Sequence, residues 1–260
     1  MNYFIEGLQG AGKSTLVQQL SDKYPKLKAF REGDYSPVEL AWCAFVTTNQ
    51  YEEILRKYSD IENEIKANTF SEQDRKIICY TRIRTDNTAF YKDLEKYEIY
   101  NGNLGITEFE GVVLSRFKKW NGNNQVFECA VFQNIIENLM LYLELTDEEI
   151  VRFYSNIADT LSDKNYKIIY LDAENITSCI DTIKRERTDN DGNEVWYSAM
   201  IRYIENAPYS KKHSLNGLDG LITHLERRRA LEHRIIEMYF DKNTIFLRSK
   251  QFDFSSLEIV

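Results

Sequence analysis

The chain has 260 residues, 43% hydrophobic and 13% aromatic, with 11 Gly and only 3 Pro. This composition supplies a sizeable core and argues against long disordered linkers. Its formal charge of −8 at pH 7 disfavours nonspecific nucleic-acid binding, so any anion recognition has to be local. No stretch approaches the roughly 18 uninterrupted apolar residues of a membrane helix, and the first strand candidate begins within two residues of Met1, leaving no room for a signal peptide. A cytoplasmic protein with one domain over 1–260 is the expectation.

The first element organises the rest. Tyr3, Phe4 and Ile5 form a buried-strand candidate, and Leu16, Val17 and Leu20 show helical spacing. Between them Gly7, Gly12, Lys13 and Ser14 fit G-x-x-x-x-G-K-[ST], a pattern that arises by chance in roughly one chain in a hundred of this length. In this pattern backbone N–H groups wrap phosphates, the Lys reaches the β- and γ-phosphates and the hydroxyl holds Mg²⁺. Glycines at 7, 10 and 12 permit positive φ and close backbone approach, and the phosphate meets the positive end of the following helix. The expected ligand is Mg-ATP, held by Gly7, Leu8, Gln9, Gly10, Ala11, Gly12, Lys13, Ser14 and Thr15.

After Pro25, residues 27–31 read as a second strand, which runs into Glu32-Gly33-Asp34. Strand ends in open α/β sheets face ligands, so Glu32 is a candidate base for an acceptor hydroxyl. Ser36-Pro37-Val38-Glu39 has the local chemistry of a helix start, with Ser as N-cap, Pro at N1 and Glu at N3. That helix would carry Leu40, Trp42 and Phe45. Trp42 and Phe45 are core residues or platforms for a base.

Residues 51–120 read as mostly helical, with a further helix start at 71–74 and a capping box at Thr107-Glu108-Phe109-Glu110. So much helix is expected to be an insertion on the ligand side of the sheet. Within it Arg82 and Arg84 are candidates for an acceptor-anion site, or else face water. Asn121-Gly122-Asn123-Asn124 is a turn, and residues 125–129 form a strand that delivers Glu128, a candidate Mg²⁺ ligand. Thr146 to Glu149 caps a helix, residues 167–171 form a fourth strand, residues 176–187 a helix, and residues 244–247 the last strand. Leu218, Leu221, Ile222 and Leu225 mark a late amphipathic helix. Five short apolar strands alternating with helices mean a parallel sheet covered on both faces.

The four cysteines lack C-x-x-C spacing and read as free buried thiols, and the three histidines lack metal-ligand spacing. Arg227-Arg228-Arg229 is flanked by Glu226 and Glu232, which marks a solvated helix face and not a nucleic-acid patch.

Ile5, Glu6, Gly7, Gly10, Ala11, Gly12, Lys13, Ser14 and Thr15 resemble the opening E-G-x-x-G-A-G-K-[ST]-T of thymidylate kinases and deoxynucleoside kinases. Arg31-Glu32 sits where thymidylate kinases have an R-E-P turn, without the Pro. No D-R pair follows the third strand, which here continues as Phe127-Glu128-Cys129-Ala130. Lys184-Arg185-Glu186-Arg187 resembles the arginine-bearing lid of such kinases.

The resemblance covers the sheet, about half of the chain. It implies a P-loop NTPase fold and transfer of the γ-phosphoryl group of ATP to a nucleoside or nucleoside monophosphate. It also implies contact of Thr15 with the α-phosphate, and of Arg185 and Arg187 with the transferring phosphates unless Glu186 and Asp189 hold them in surface ion pairs. Arg31 is a candidate contact for an acceptor phosphate, or else pairs with Asp34. Two alternatives stay open: a phosphotransferase acting on an antibiotic or sugar hydroxyl, and a nucleotide-binding regulatory ATPase. Neither N-K-x-D nor L-S-G-G-Q is present, which argues against GTPases and transporter ATPases. The expected partner is a small-molecule phosphoryl acceptor, with no nucleic acid and no membrane. A homodimer is left open.

Overall fold

Alternation of strand-forming apolar runs with amphipathic helices produces an α/β architecture in the computed structural model, which describes residues 1–189 and 191–250. The chain divides into two units, one built from Met1–Ala29 and the chain from Asn121 onward, the other from Phe30–Trp120.

In the first unit β1 (Asn2–Gly7) is buried at every residue. Helix α1 (Lys13–Lys23) buries Leu16, Val17 and Leu20 and ends at Tyr24, whose N–H closes onto Leu20 O at 2.9 Å before Pro25 forbids continuation. Strand β2 is short (Lys28–Phe30).

The second unit departs from the expected helical insertion, because it carries a three-stranded antiparallel sheet. No helix forms at Ser36. Its Oγ accepts the N–H groups of Val38 and Glu39, both at 3.3 Å, but the Glu39 carboxylate then takes the Ala41 N–H and Trp42 adopts φ +63°. The chain continues as β3 (Ala44–Thr47), where β-forming Phe45, Val46 and Thr47 outweigh the local capping chemistry. Helix α2 (Thr48–Lys57) opens with a capping box between Thr47 and Gln50 and is followed by α3 (Glu62–Ala67).

Residues 71–74 end a strand instead of starting a helix. Strands β4 (Thr69–Glu72) and β5 (Arg75–Ile78) are joined by a turn with Gln73 at φ +50°. Helices α4 (Thr88–Glu95) and α5 (Ile106–Lys119) follow. Helix α5 begins after Gly105 without a side-chain cap, so Thr107 and Glu110 already lie inside it and form no capping box. Val46, Tyr51, Ile54, Ile65, Ile78, Phe90 and Leu94 make this unit's core.

The chain re-enters the first unit at β6 (Gln125–Glu128) and continues through α6 (Gln133–Glu137), a π-helical turn over Asn138–Tyr142, and α7 (Asp147–Leu161). Thr146 and Glu149 form the expected capping box on α7. Strand β7 (Tyr166–Asp172) and α8 (Ile176–Glu186) follow, then α9 (Val195–Asn206), α10 (Pro208–His213), α11 (Gly217–Ile235) and β8 (Thr244–Arg248).

The five strands lie in the order β2-β6-β1-β7-β8 and run parallel, with Phe4 opposite Phe127 on one side of β1 and Ile168 on the other. Side chains alternate across the sheet. Tyr3 and Ile5 pack with Leu16, Val17 and Leu20 of α1. Phe4 stacks on Phe127 at 5.1 Å and meets Tyr166 edge-on, while Phe132 touches Tyr154, Tyr170 and Phe240. Both faces are therefore apolar, as a covered parallel sheet requires. Among the described residues no helix is long and apolar enough to cross a membrane.

Candidate functional site

From β1 the chain moves out to β2, returns at β6 beside β1, and crosses to β7 on β1's other side. In open parallel sheets ligands sit at the carboxyl ends of the strands where the order reverses in this way. The glycine loop leaves β1 at that point.

Two of its glycines are required by geometry. Gly7 has φ +133°, and a Cβ there would stand 2.5 Å from Leu171 O; Gly10 has φ +78°, and its Cβ would stand 2.7 Å from Cys179 O. The loop is thus pressed against β7 and α8, with no room for side chains at these positions. Gly12, at φ +101°, hands the chain to α1 with no side-chain cap on the first amides. Uncapped N–H groups at a helix N-terminus suit an anion.

Lys13 is buried, and its Nζ donates to Gly7 O at 2.9 Å, Leu8 O at 2.8 Å and Gln133 Oε1 at 3.0 Å. All three ammonium donors are satisfied, two by loop carbonyls and one by α6. Ser14 Oγ donates to Glu128 Oε1 at the end of β6. The hydroxyl proton points at the carboxylate, so the lone pairs of both groups remain for a hard cation, and the all-oxygen donor set fits Mg²⁺. Thr15 is exposed in the first turn of α1.

Several buried residues support this loop, of which Glu6 was marked only by the resemblance, and Gln133 and Glu137 escaped the sequence reading. Glu6 accepts the Val131 N–H at 2.7 Å and the Phe132 N–H at 3.2 Å, tying the start of α6 to β1. Burial pushes its carboxyl up to about 7. Gln133 and Glu137 sit at i and i+4 on α6, so one helix face meets both Lys13 and Gln9. Their signal was two polar residues at helical spacing inside an apolar run.

The arginine triplet is not a solvated face. Arg227 pairs with Asp147 at 2.7 Å and Arg229 with Asp172 at 2.8 Å, while Arg228 is fully buried between Glu137 and Glu232. Glu232 accepts the Tyr170 hydroxyl at 2.6 Å. Burial alone would raise the Glu137 carboxyl, yet the Arg228 charge, the neighbouring His224 and the hydrogen bond from Gln9 bring it down to about 2.

The remaining candidates are less converged. Arg185 is exposed, 3.9 Å from Glu186 Oε1, and Arg187 stacks over the Trp196 ring at 4.9 Å. Among the described residues no ion pair joins Asp189 to either arginine; its carboxylate takes the N–H groups of Asp191 and Asn193 at 2.9 and 2.8 Å. Asn190, part of the expected lid, lies outside the described residues.

Within the second unit Glu32 lies in a turn closed by the Asp34 N–H on Arg31 O at 3.0 Å. Asp34 also takes the Arg31 backbone N–H at 2.9 Å and pairs with Arg82 at 2.9 Å. Arg82 closes a 3₁₀ turn and Arg84 is exposed beyond it. Trp42 is 40% exposed, whereas Phe45 is half-buried under Arg75. All four cysteines are free and buried, as expected.

No protein-family model matches the chain, and no curated protein matches it in sequence.

Proposed function

We propose that the chain is an ATP-dependent kinase that transfers a γ-phosphoryl group to a small acceptor, a nucleoside or nucleoside monophosphate. The observation that carries this reading is the meeting of Lys13, Ser14 and Glu128 at the carboxyl ends of two neighbouring strands, beside a loop that only glycines can form. Phosphoryl transfer depends on positioning and charge neutralisation more than on covalent chemistry.

In this reading residues 7–15 are a P-loop whose amides hold the donor phosphates. Lys13 exchanges its three internal acceptors for phosphate oxygens. Ser14 and Glu128 would hold Mg²⁺, which supplies neutralisation of the phosphate charge. Glu32 is assigned the acceptor's proton, Arg31, Arg82 and Arg84 the acceptor's anionic group, and Arg185 and Arg187 the migrating group. A cytoplasmic setting, where the donor is made and used, goes with this activity.

The test is a panel in which the protein and Mg-ATP are incubated with nucleosides, nucleoside monophosphates, sugars and aminoglycosides. Phosphorylated nucleoside or nucleotide supports the reading. A phosphorylated sugar or antibiotic moves the assignment to another hydroxyl, and free phosphate with no phosphorylated acceptor moves it to an ATPase.

A further inference from the structure

The glycine loop has a second anchor besides Lys13. Gln9, near its apex, donates from Nε2 to Glu137 Oε1 at 2.7 Å. A carboxylate only accepts, so this bond fixes which way the Gln9 amide faces. The orientation leaves Gln9 Oε1 buried without a hydrogen-bond partner among the described residues, so the loop keeps the contact at a cost.

Glu137 is itself immobilised by Arg228, which is fully buried and paired from behind with Glu232, itself held by the Tyr170 hydroxyl of β7. Arg228 NH2 also reaches Gly7 O at 3.4 Å. One buried ion-pair chain thus holds the loop at its first residue and near its apex.

The loop without ligand leans heavily on Lys13, whose ammonium ties down Gly7 O and Leu8 O. A lysine that turns towards a phosphate surrenders those bonds, and the loop must keep its shape at the moment its amides are needed. The anchors of residues 7–9 that survive are Gln9 on Glu137 and Gly7 O on Arg228, while Ser249 Oγ donates to Ala11 O at 3.0 Å further along the loop.

We infer that Glu137, braced by Arg228 and acting through Gln9, is a positioning residue that keeps the glycine loop shaped for a nucleoside triphosphate once Lys13 has left its carbonyl partners. The inference rests on the reading that this loop binds Mg-ATP. Misplacing a binding group by a fraction of an ångström is costly in binding and rate.

The experiment is a double-mutant cycle on the full chain, with Mg-ATP affinity measured by calorimetric titration. Gln9→Ala and Glu137→Leu are each expected to weaken binding on the order of tenfold, and the double variant to bind no more weakly than the poorer single, because both remove one link. A purely structural Glu137 would lower the melting temperature and leave the Gln9→Ala penalty intact in the Glu137→Leu background. Penalties that multiply, or a Gln9→Ala variant with wild-type affinity, overturn the inference.

If Glu137→Leu does not fold, Gln9→Glu decides. A second carboxylate against Glu137 should weaken binding beyond Gln9→Ala, and equal affinities overturn the link. If the wild-type chain does not bind Mg-ATP, the nucleotide reading fails by itself, and the anchor is judged by hydrogen exchange of the free protein. Gln9→Ala should then speed exchange of the amides at 7–13, and unchanged exchange overturns the anchor.

Discussion

Gly10 and Arg228 make opposite demands on the chain, one for the absence of a side chain and one for the full reach of the longest. A Cβ at Gly10 would meet the Cys179 carbonyl, which belongs to the α8 backbone and cannot swing away, at a positive φ that L-residues avoid. Gly10→Ala is therefore expected to cost roughly 1–3 kcal/mol in thermal or denaturant unfolding. A melting temperature equal to wild type would show that the loop stands off from α8. Arg228→Met should cost more, about 3–5 kcal/mol, because it strands Glu137 and Glu232 as buried charges without their cation. Urea unfolding measures this, and a loss below ~1 kcal/mol would mean that water replaces the guanidinium.

These two residues also show what a sequence discloses. The need for glycine at 10 was legible because the spacing of Gly7, Gly12, Lys13 and Ser14 reads as a phosphate-binding loop, whose glycines at 7, 10 and 12 are expected to take positive φ. The burial of Arg228 was not, because its neighbours Glu226, Arg227, Arg229 and Glu232 imitate a solvated, ion-paired face. Only the partners contributed by α6 and β7 distinguish the two, and they are remote in sequence.

At the scale of elements, the parallel strands and helices α1, α7, α8 and α11 were readable from apolar runs and local caps, whereas α6, α9 and α10 were not. Thr146 with Glu149 is such a case, since a capping box is satisfied by residues three apart. The small antiparallel sheet was not readable. Its strands are four residues each, β5 opens with Arg75-Lys76, and the flanking helices supply a dominant helical period. The Ser36 motif misled for a related reason, as capping chemistry also serves an isolated turn when the residues beyond it favour a strand.

The end of α8 carries the kinetic prediction at this scale. Arg187 rests on Trp196 and Arg185 faces solvent, so neither is needed to hold the fold. If they neutralise the migrating phosphoryl group, Arg185→Ala or Arg187→Ala should slow turnover on the order of 10²-fold with little change in melting temperature. Wild-type turnover in both single variants would remove them from the reaction.

For the whole molecule, buried carboxyls set the pH dependence of stability. Burial raises Glu39 to about 8, Glu98 to about 8 and Glu6 to about 7, against an ordinary value of 4.5. The folded state therefore holds protons that the unfolded chain releases, and stability falls as pH rises from about 4.5 to about 8, by up to about 1.4 kcal/mol per pH unit for each group. Glu137 and Asp172 act in the opposite sense. Their carboxyls are depressed by arginine and histidine partners despite burial, so their contribution is present above the unfolded value and is lost as pH falls through the folded one. Glu98→Gln should unfold close to wild type at pH 5 and gain on it steadily towards pH 8. A constant difference across that range would remove Glu98 as a source of the slope.

The central claim is that the glycine loop and its lysine carry phosphoryl transfer. The most direct measurement follows γ-labelled ATP and Mg²⁺ with a nucleoside or nucleoside monophosphate acceptor, comparing wild type with Lys13→Ala. The account predicts labelled acceptor from the wild-type chain and a loss of at least ~10²–10³ in rate for the variant, with its fold retained. Label reaching no acceptor, or a variant that turns over like wild type, would contradict it.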